Sequence, residues 1–447
     1  MDHPSRRALL GAGLVGGTAL LAGCDSHDGP PEAAVSTPSS TSVSTPPSTA
    51  AGVSSGVASG AAATDFDPRD WASVRAQFNL DPSLAQFAAF VFSPHTKVLD
   101  QAIAGYRDEL ATDTETALLA RARREAAVRS AAAGYHGGVA NQYALTDSTT
   151  MGLGLMYGGM SLGPGDEVVT TTHDFYSTEE SLRLLHERTG ALVSRVTLYD
   201  DPAAAAVDAM VEALVAAVTP RTKVVALTWV HSSTGVRVPV REICTALDDL
   251  DRVPRDQYSV CVDGVHGFSA VDADVSDLGC DFLAAGTHKW LHGPRGTGIL
   301  WGRDWGPLAA VIPTFSDPSV PAGRLTPGGY HCFEHQWAAA DAFGFMSRIG
   351  RARVVARVAE QATRLKEGLS GIEGITLKTP MSSDVSAGIV CFDVAGQRPP
   401  DVVARLRQAG VVGSATPYAT SYVRLGPSLA TDPDQVDRAV EAVRSLV

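Results

Sequence analysis

The 447-residue chain reads as an α/β protein built on a mostly parallel, doubly covered sheet. Three observations predict this. Short β-branched runs alternate with helix-period segments from about residue 98 to residue 301, with no internal repeat. The composition, 45% hydrophobic and 19% charged, can bury a real core and excludes disorder for the bulk of the chain. Forty-three glycines and many Ala-rich stretches suit helices and strands joined by tight turns.

Residues 1–24 stand apart. Ser5-Arg6-Arg7-Ala8-Leu9-Leu10 leads an apolar run ending in Leu21-Ala22-Gly23-Cys24, too short to span a bilayer as a permanent helix. The paired arginines resemble a twin-arginine export signal, and Leu-Ala-Gly-Cys resembles a lipobox with Cys24 as the acylated residue. The expectation is an exported protein of the periplasm or cell envelope, held to the membrane by a lipid on Cys24. Residues 25–64, almost entirely Ser, Thr, Pro, Ala and Gly, bury no apolar surface and are expected to form an extended tether. Beyond them, periodicity predicts helices at 98–110, 115–132, 149–161, 177–188 and 202–218. Strands are predicted between and after these, at 167–170, 191–198, 223–229, 259–262 and 298–301, and further helices at 334–349 and 352–369.

Lys+Arg 36 against Asp+Glu 49 give a net charge of −13, which argues against a nucleic-acid partner. Cys244, Cys261, Cys280, Cys332 and Cys391 form no C-x-x-C pair, so neither a disulfide framework nor a zinc knuckle is visible.

Ligands of a parallel sheet bind beyond the carboxyl ends of its strands. Asp263 directly follows the apolar run Tyr258-Ser259-Val260-Cys261-Val262 and precedes Gly264-Val265-His266. An Asp before Gly often just caps a turn, but a second segment adds to it. In Ala284-Ala285-Gly286-Thr287-His288-Lys289-Trp290-Leu291-His292-Gly293-Pro294-Arg295-Gly296-Thr297-Gly298, Lys289 sits after a strand and before a Gly-rich turn. Partial desolvation there lowers a lysine's pKa and lets it form a Schiff base. Asp263 and Lys289 on neighbouring strand ends suit pyridoxal 5'-phosphate, whose ring nitrogen needs a carboxylate and whose aldehyde needs an amine.

Asp-Gly-x-His together with Thr-His-Lys-Trp-Leu-x-Gly-Pro-x-Gly-x-Gly resembles the class V aminotransferase superfamily of fold-type I pyridoxal phosphate enzymes, which also holds cysteine desulfurases and isopenicillin-N-epimerase-like proteins. The resemblance runs from about residue 71 to residue 447. It implies a large domain over 95–315 with a mixed seven-stranded sheet, a small α+β domain over 316–447, an N-terminal segment 65–94 packed on the small domain, and a homodimer. By the same resemblance Thr149 and Thr150, at the start of a helix, with Thr287 and His288, hold the phosphate. Phe175, with Tyr176 as the other candidate, stacks on the ring. Ser232 and His266 face its phenolic oxygen, and Arg424 grips a substrate carboxylate. In leader and core together the chain is also similar to exported enzymes of this kind that tailor pyoverdine siderophores.

The sequence departs from the family in three places. Gly286 replaces a Ser common in desulfurases. Phe333 to Ala338 occupies the region where many members carry a Gly-Thr loop reaching the neighbouring subunit. The loop 411–422 has no Cys, which disfavours persulfide chemistry. The resemblance therefore implies an enzyme acting on a small-molecule amino substrate, the amino group of an amino acid or peptide-linked amino acid, by transamination or by oxidative decarboxylation and tailoring. Epimerisation or elimination is the alternative. A remote alternative is a zinc metalloprotease, because His331-Cys332-Phe333-Glu334-His335 matches H-x-x-E-H; the turn Thr326-Pro327-Gly328-Gly329 before it places the motif across a helix start.

Overall fold

The structure, a computed structural model, describes residues 66–447. The expected signal peptide and tether, Cys24 included, lie outside the described residues. In chain order the main elements are α1 (Trp71–Arg75), β1 (Ala85–Gln86), α2 (Lys97–Thr112), α3 (Thr114–Leu119), α4 (Arg121–His136), β2 (Tyr143–Thr146), α5 (Thr149–Gly159), β3 (Glu167–Thr171), α6 (Tyr176–Thr189), β4 (Leu192–Val196), α7 (Val207–Ala217), β5 (Thr222–Thr228), α8 (Val240–Asp248), β6 (Ser259–Asp263), β7 (Phe282–Gly286) and β8 (Gly298–Gly302). There follow α9 (Phe333–Ile349), α10 (Arg351–Ser370), β9 (Ile375–Leu377), β10 (Val390–Val394), α11 (Pro399–Gln408), β11 (Val411–Val412), β12 (Ser414–Ala415), β13 (Val423–Leu425) and α12 (Pro433–Arg444).

A seven-stranded sheet runs in the order β2-β8-β7-β6-β5-β3-β4. The five strands from β7 to β4 are parallel, and β8 pairs antiparallel with β7 and β2. This is the α/β architecture expected from the sequence. Alternate strand residues feed opposite faces, as the pleat requires. Val168, Val224, Ala226, Cys261 and Ala284 pack with α5 and α6 residues such as Met156 and Leu182. Val169, Val225, Leu227, Val262 and Leu283 pack on the other face with α2, α7, α8 and α9 residues such as Ile103, Leu214, Ile243 and Phe343.

A smaller antiparallel sheet has the order β12-β13-β10-β9, and β1 pairs in parallel with β11. Its core joins Phe392, Val423 and Leu425 to Leu365 of α10, Leu406 of α11 and Val440 of α12, with Phe87 from the N-terminal segment.

Several details differ from the sequence expectations. No strand is expected from the sequence where β2 (Tyr143–Thr146) forms an edge of the large sheet. The helix expected over 115–132 is broken at Ala120 into α3 and α4, with α3 capped by Asp113. The helix expected over 202–218 begins at Val207, after a single 3-10 turn at Pro202–Ala204. Finally α9, beyond the division expected at residue 316, buries Ala338, Ala342, Phe343 and Met346 in the core of the large sheet. The change of sheet falls at Gly350, a left-handed residue at φ 92° between α9 and α10.

Candidate active site

Four neighbouring strands of the large sheet deliver the site. Asp263 ends β6, Lys289 follows the end of β7, Ser232 follows β5, and Phe175 follows β3. All four line one cavity of about 260 Å³, together with His266, Arg424 and Phe90. Arg424 comes from β13 of the small sheet, so the cavity sits where the two sheets meet.

Asp263 is 1% exposed. It accepts hydrogen bonds from the Val265 amide (3.1 Å) and, at 3.5 Å, from the Thr178 hydroxyl. Burial pushes its carboxyl up to about 6, opposed by the Val265 bond and the Lys289 charge. Burial brings the Lys289 ammonium down to about 8, against the attraction of Asp263. Lys289 Nζ lies 3.3 Å from His266 Nε2. His266 is buried, which holds its pKa well below the ordinary value; the ring is neutral, accepts from the lysine, and leaves Nδ1 buried without a partner.

Arg424 is 7% exposed and faces neutral acceptors: Ser414 Oγ (3.1 Å), the Ser232 carbonyl (3.0 Å) and the Ala415 carbonyl (3.2 Å). Its guanidinium also lies 5.1 Å from the centre of the Phe90 ring. No carboxylate forms an ion pair with it among the described residues. A buried cation held this way is costly unless an anion joins it.

At the other end of the site, the first turn of α5 offers Thr149 and Thr150, with Ser148 capping the Met151 amide. The Gly286 amide donates to Thr149 Oγ1 at 2.7 Å, and Thr150 Oγ lies 3.0 Å from Ser177 Oγ. Space at Gly286 is tight: a Cβ there would stand 3.0 Å from the His288 ring and 3.3 Å from Thr149 Oγ1. His288 Nδ1 is buried without a partner. Helix-end amides, two hydroxyls and an orphaned imidazole nitrogen are a donor set that suits a phosphate. With Lys289 and Asp263 beyond them, these residues fit pyridoxal phosphate.

Other sequence-predicted residues fall elsewhere. The Thr287 hydroxyl turns into the Gly-rich turn and bonds Pro294 and Thr297, so it is not offered to the phosphate. Tyr176 is 66% exposed, leaving Phe175 as the aromatic wall. The zinc motif does not assemble. His331 precedes α9 and faces Asp147 at 3.6 Å, Glu334 faces Arg107 at 3.7 Å, and His335 Nδ1 lies 3.0 Å from the Arg295 carbonyl. Among the described residues no group of three His, Cys, Asp or Glu side chains could hold a metal ion.

Sequence reasoning missed Phe90, Thr228 and Tyr418. Thr228 ends β5 and pairs with Asp263, so the strand-end rule that found Asp263 also points to it. Phe90 arrives through the return of the N-terminal segment, where Ala88 bridges Gly426. Tyr418 Oη lies 2.7 Å from Ser232 Oγ, and its ring meets Phe175 edge-on at 6.0 Å.

The family model of class-V aminotransferases matches residues 128–417. The chain is 25% identical over 405 residues to an isopenicillin N epimerase of Streptomyces clavuligerus, covering 84% of this chain and 98% of the relative. It is 26% identical over 290 residues to a probable cysteine desulfurase of Halalkalibacterium halodurans, covering 62% and 68%. Among solved structures, a cysteine desulfurase from Thermococcus onnurineus NA1 superposes with a TM-score of 0.74 at 20% identity, covering 87% of this chain and 99% of that one. A cystine C–S lyase in complex with cysteine persulfide gives 0.74 at 18% identity, covering 81% and 98%. With a family match over most of its length, the chain belongs to the class-V aminotransferase family of pyridoxal phosphate enzymes.

Proposed function

We propose that the protein is an exported pyridoxal phosphate enzyme acting on the amino group of an amino acid, free or peptide-linked, by transamination or by oxidative decarboxylation and tailoring. The observation that carries the substrate class is Arg424: a buried guanidinium without a carboxylate, in the same cavity as Lys289. An α-carboxylate suits its guanidinium, and the amino group beside that carboxylate would then share the cavity with Lys289.

The bound cofactor supplies an electron sink that acidifies the bonds at the substrate's Cα. The protein's residues do the rest. Phe175 and Phe90 wall the cavity and limit water. Asp263 would hold the proton on the ring nitrogen, and Thr149, Thr150 and His288 would hold the phosphate. Lys289 takes and returns a proton at Nζ; with a pKa of about 8 it is poised to do both near neutral pH, and His266 steers it.

Transfer of sulfur to a protein thiol, as in a desulfurase, lacks an acceptor: among the described residues no cysteine lines the cavity, and burial pushes the Cys391 thiol, on the strand beside Arg424, up to about 12. Epimerisation is the second reading, supported by the near full-length match to an isopenicillin N epimerase. Export rests on the sequence of residues 1–24, and a route that carries folded protein suits a cofactor loaded before transport. Changing Arg6 and Arg7 to Lys should retain the protein in the cytoplasm on cell fractionation.

The activity test incubates purified protein with an amino-acid panel and a glutamyl siderophore precursor, with and without a keto acid and oxygen. The cofactor spectrum and product masses are followed. A spectral change reversed by the keto acid supports transamination, oxygen-dependent loss of CO₂ supports tailoring, and inversion at Cα supports the second reading. Lys289→Ala should abolish both the visible band and turnover while near-UV circular dichroism stays native. Silence toward every amine would sink the proposal.

A further inference from the structure

We propose that Tyr418 is a positioning residue for the substrate carboxylate: by bonding Ser232 it clamps the loop 413–422 over the cavity and fixes the open fork of Arg424. This rests on the reading of Arg424 given above.

A guanidinium has five N–H donors. Ser414 Oγ takes the one on Nε, and the Ser232 and Ala415 carbonyls take one on each terminal nitrogen. One N–H remains on each terminal nitrogen, available to a substrate carboxylate. Two of those three anchors, Ser414 and Ala415, form β12, which pairs with β13 and leads into the loop, and the third belongs to the turn after β5. The fork's direction therefore depends on how the loop and the turn are registered.

The loop closes on itself at its base. The Thr416 amide donates to the Tyr422 carbonyl (2.9 Å), the Tyr422 amide to Thr416 Oγ1 (2.8 Å), and Ser421 Oγ to the Thr416 carbonyl (2.9 Å). Pro417 to Thr420 are left as a tip, with Pro417 on the cavity wall. The tip is tied to the large sheet through Tyr418, whose hydroxyl meets Ser232 Oγ at 2.7 Å and whose ring meets Phe175. Ser232 thus bonds the loop with its hydroxyl and Arg424 with its carbonyl. Burial holds the Tyr418 phenol up to about 12, so the clamp keeps its proton at any working pH.

The test compares the holoenzyme with its Tyr418→Phe variant. L-alanine and ethylamine, which differ by the carboxylate, are titrated against the cofactor's visible band. Amide hydrogen exchange of residues 413–422 is measured without ligand. Loss of one hydrogen bond should weaken L-alanine by about three- to tenfold, leave ethylamine within about twofold on the same scale, and speed exchange across the loop. Ser232→Ala should reproduce the loss, and the double variant should add little to it. Equal weakening of both amines would reduce Tyr418 to a structural role, and unchanged exchange would remove the clamp; either overturns the proposal. Arg424→Gln separates the two levels. If it spares L-alanine, the carboxylate reading fails. If it weakens L-alanine while Tyr418→Phe does not, the clamp alone fails.

Discussion

Asp263 gives a pH signature that can be worked out from its surroundings. In cofactor-free protein its carboxyl is raised from 3.8 to about 6, chiefly by burial. A raised acid contributes nothing below its unfolded value, and its ionisation then destabilises the fold increasingly until pH passes the folded value. The full burden is about 3 kcal/mol above pH 6, and about half of it accrues between pH 5 and pH 8. Asp263→Asn keeps the acceptor for the Val265 amide and removes the charge. Urea unfolding of the cofactor-stripped proteins at pH 5 and pH 8 should show the variant gaining about 1.5 kcal/mol on the wild type across that interval. Saturating cofactor should reverse the order, because the protonated ring nitrogen then partners the wild-type carboxylate alone. Parallel pH dependences in the two stripped proteins would refute the reasoning.

Two further outcomes follow from the same structure. Because Lys289 is lowered to about 8, its reactive neutral fraction should rise tenfold per pH unit up to about 8 and then level off. Stopped-flow loading of stripped protein with pyridoxal phosphate between pH 6.5 and 9.5 should show that plateau; a rise continuing to the end of the range would mean an ordinary solvated lysine. Gly267→Ala would put a Cβ 2.2 Å from Trp229, which is 1% exposed and cannot retreat. Thermal unfolding should report a loss on the order of 1–3 kcal/mol or more, and an unchanged midpoint would show that this contact yields.

What the sequence disclosed followed from periodicity and strand ends. β5 and β6 announce themselves because both faces are covered, giving unbroken apolar runs such as Val224 to Leu227, whereas β4 at the sheet edge is half-exposed and carries Ser194 and Arg195. Asp263 and Lys289 stand out because a charged residue closing such a run has to be explained. The break at Ala120 was hidden, since Ala carries no breaker signal and its backbone stays close to helical at φ −80°, ψ −6°. Position 287 looked equivalent to 288, yet the turn after Gly286 sends one side chain into Thr297 and leaves the other's nitrogen unpaired; only the turn's geometry decides that. Phe90 and Tyr418 depend on contacts between stretches remote in the chain, which no local pattern encodes.

The pairing of β1 with β11 sets a clock on the molecule's own synthesis. Ala85 cannot find its neighbour until Val411 has been made, and Arg424 comes later still. A nascent chain emerging amino end first can assemble the large sheet, with Asp263 and Lys289 in place, while the wall bearing Arg424 has yet to be translated. During that interval the lysine faces a half-built chamber, open to the cofactor but without the group proposed to hold a substrate. The order of residues along the chain thus favours admitting the cofactor first and gaining a grip on substrate last.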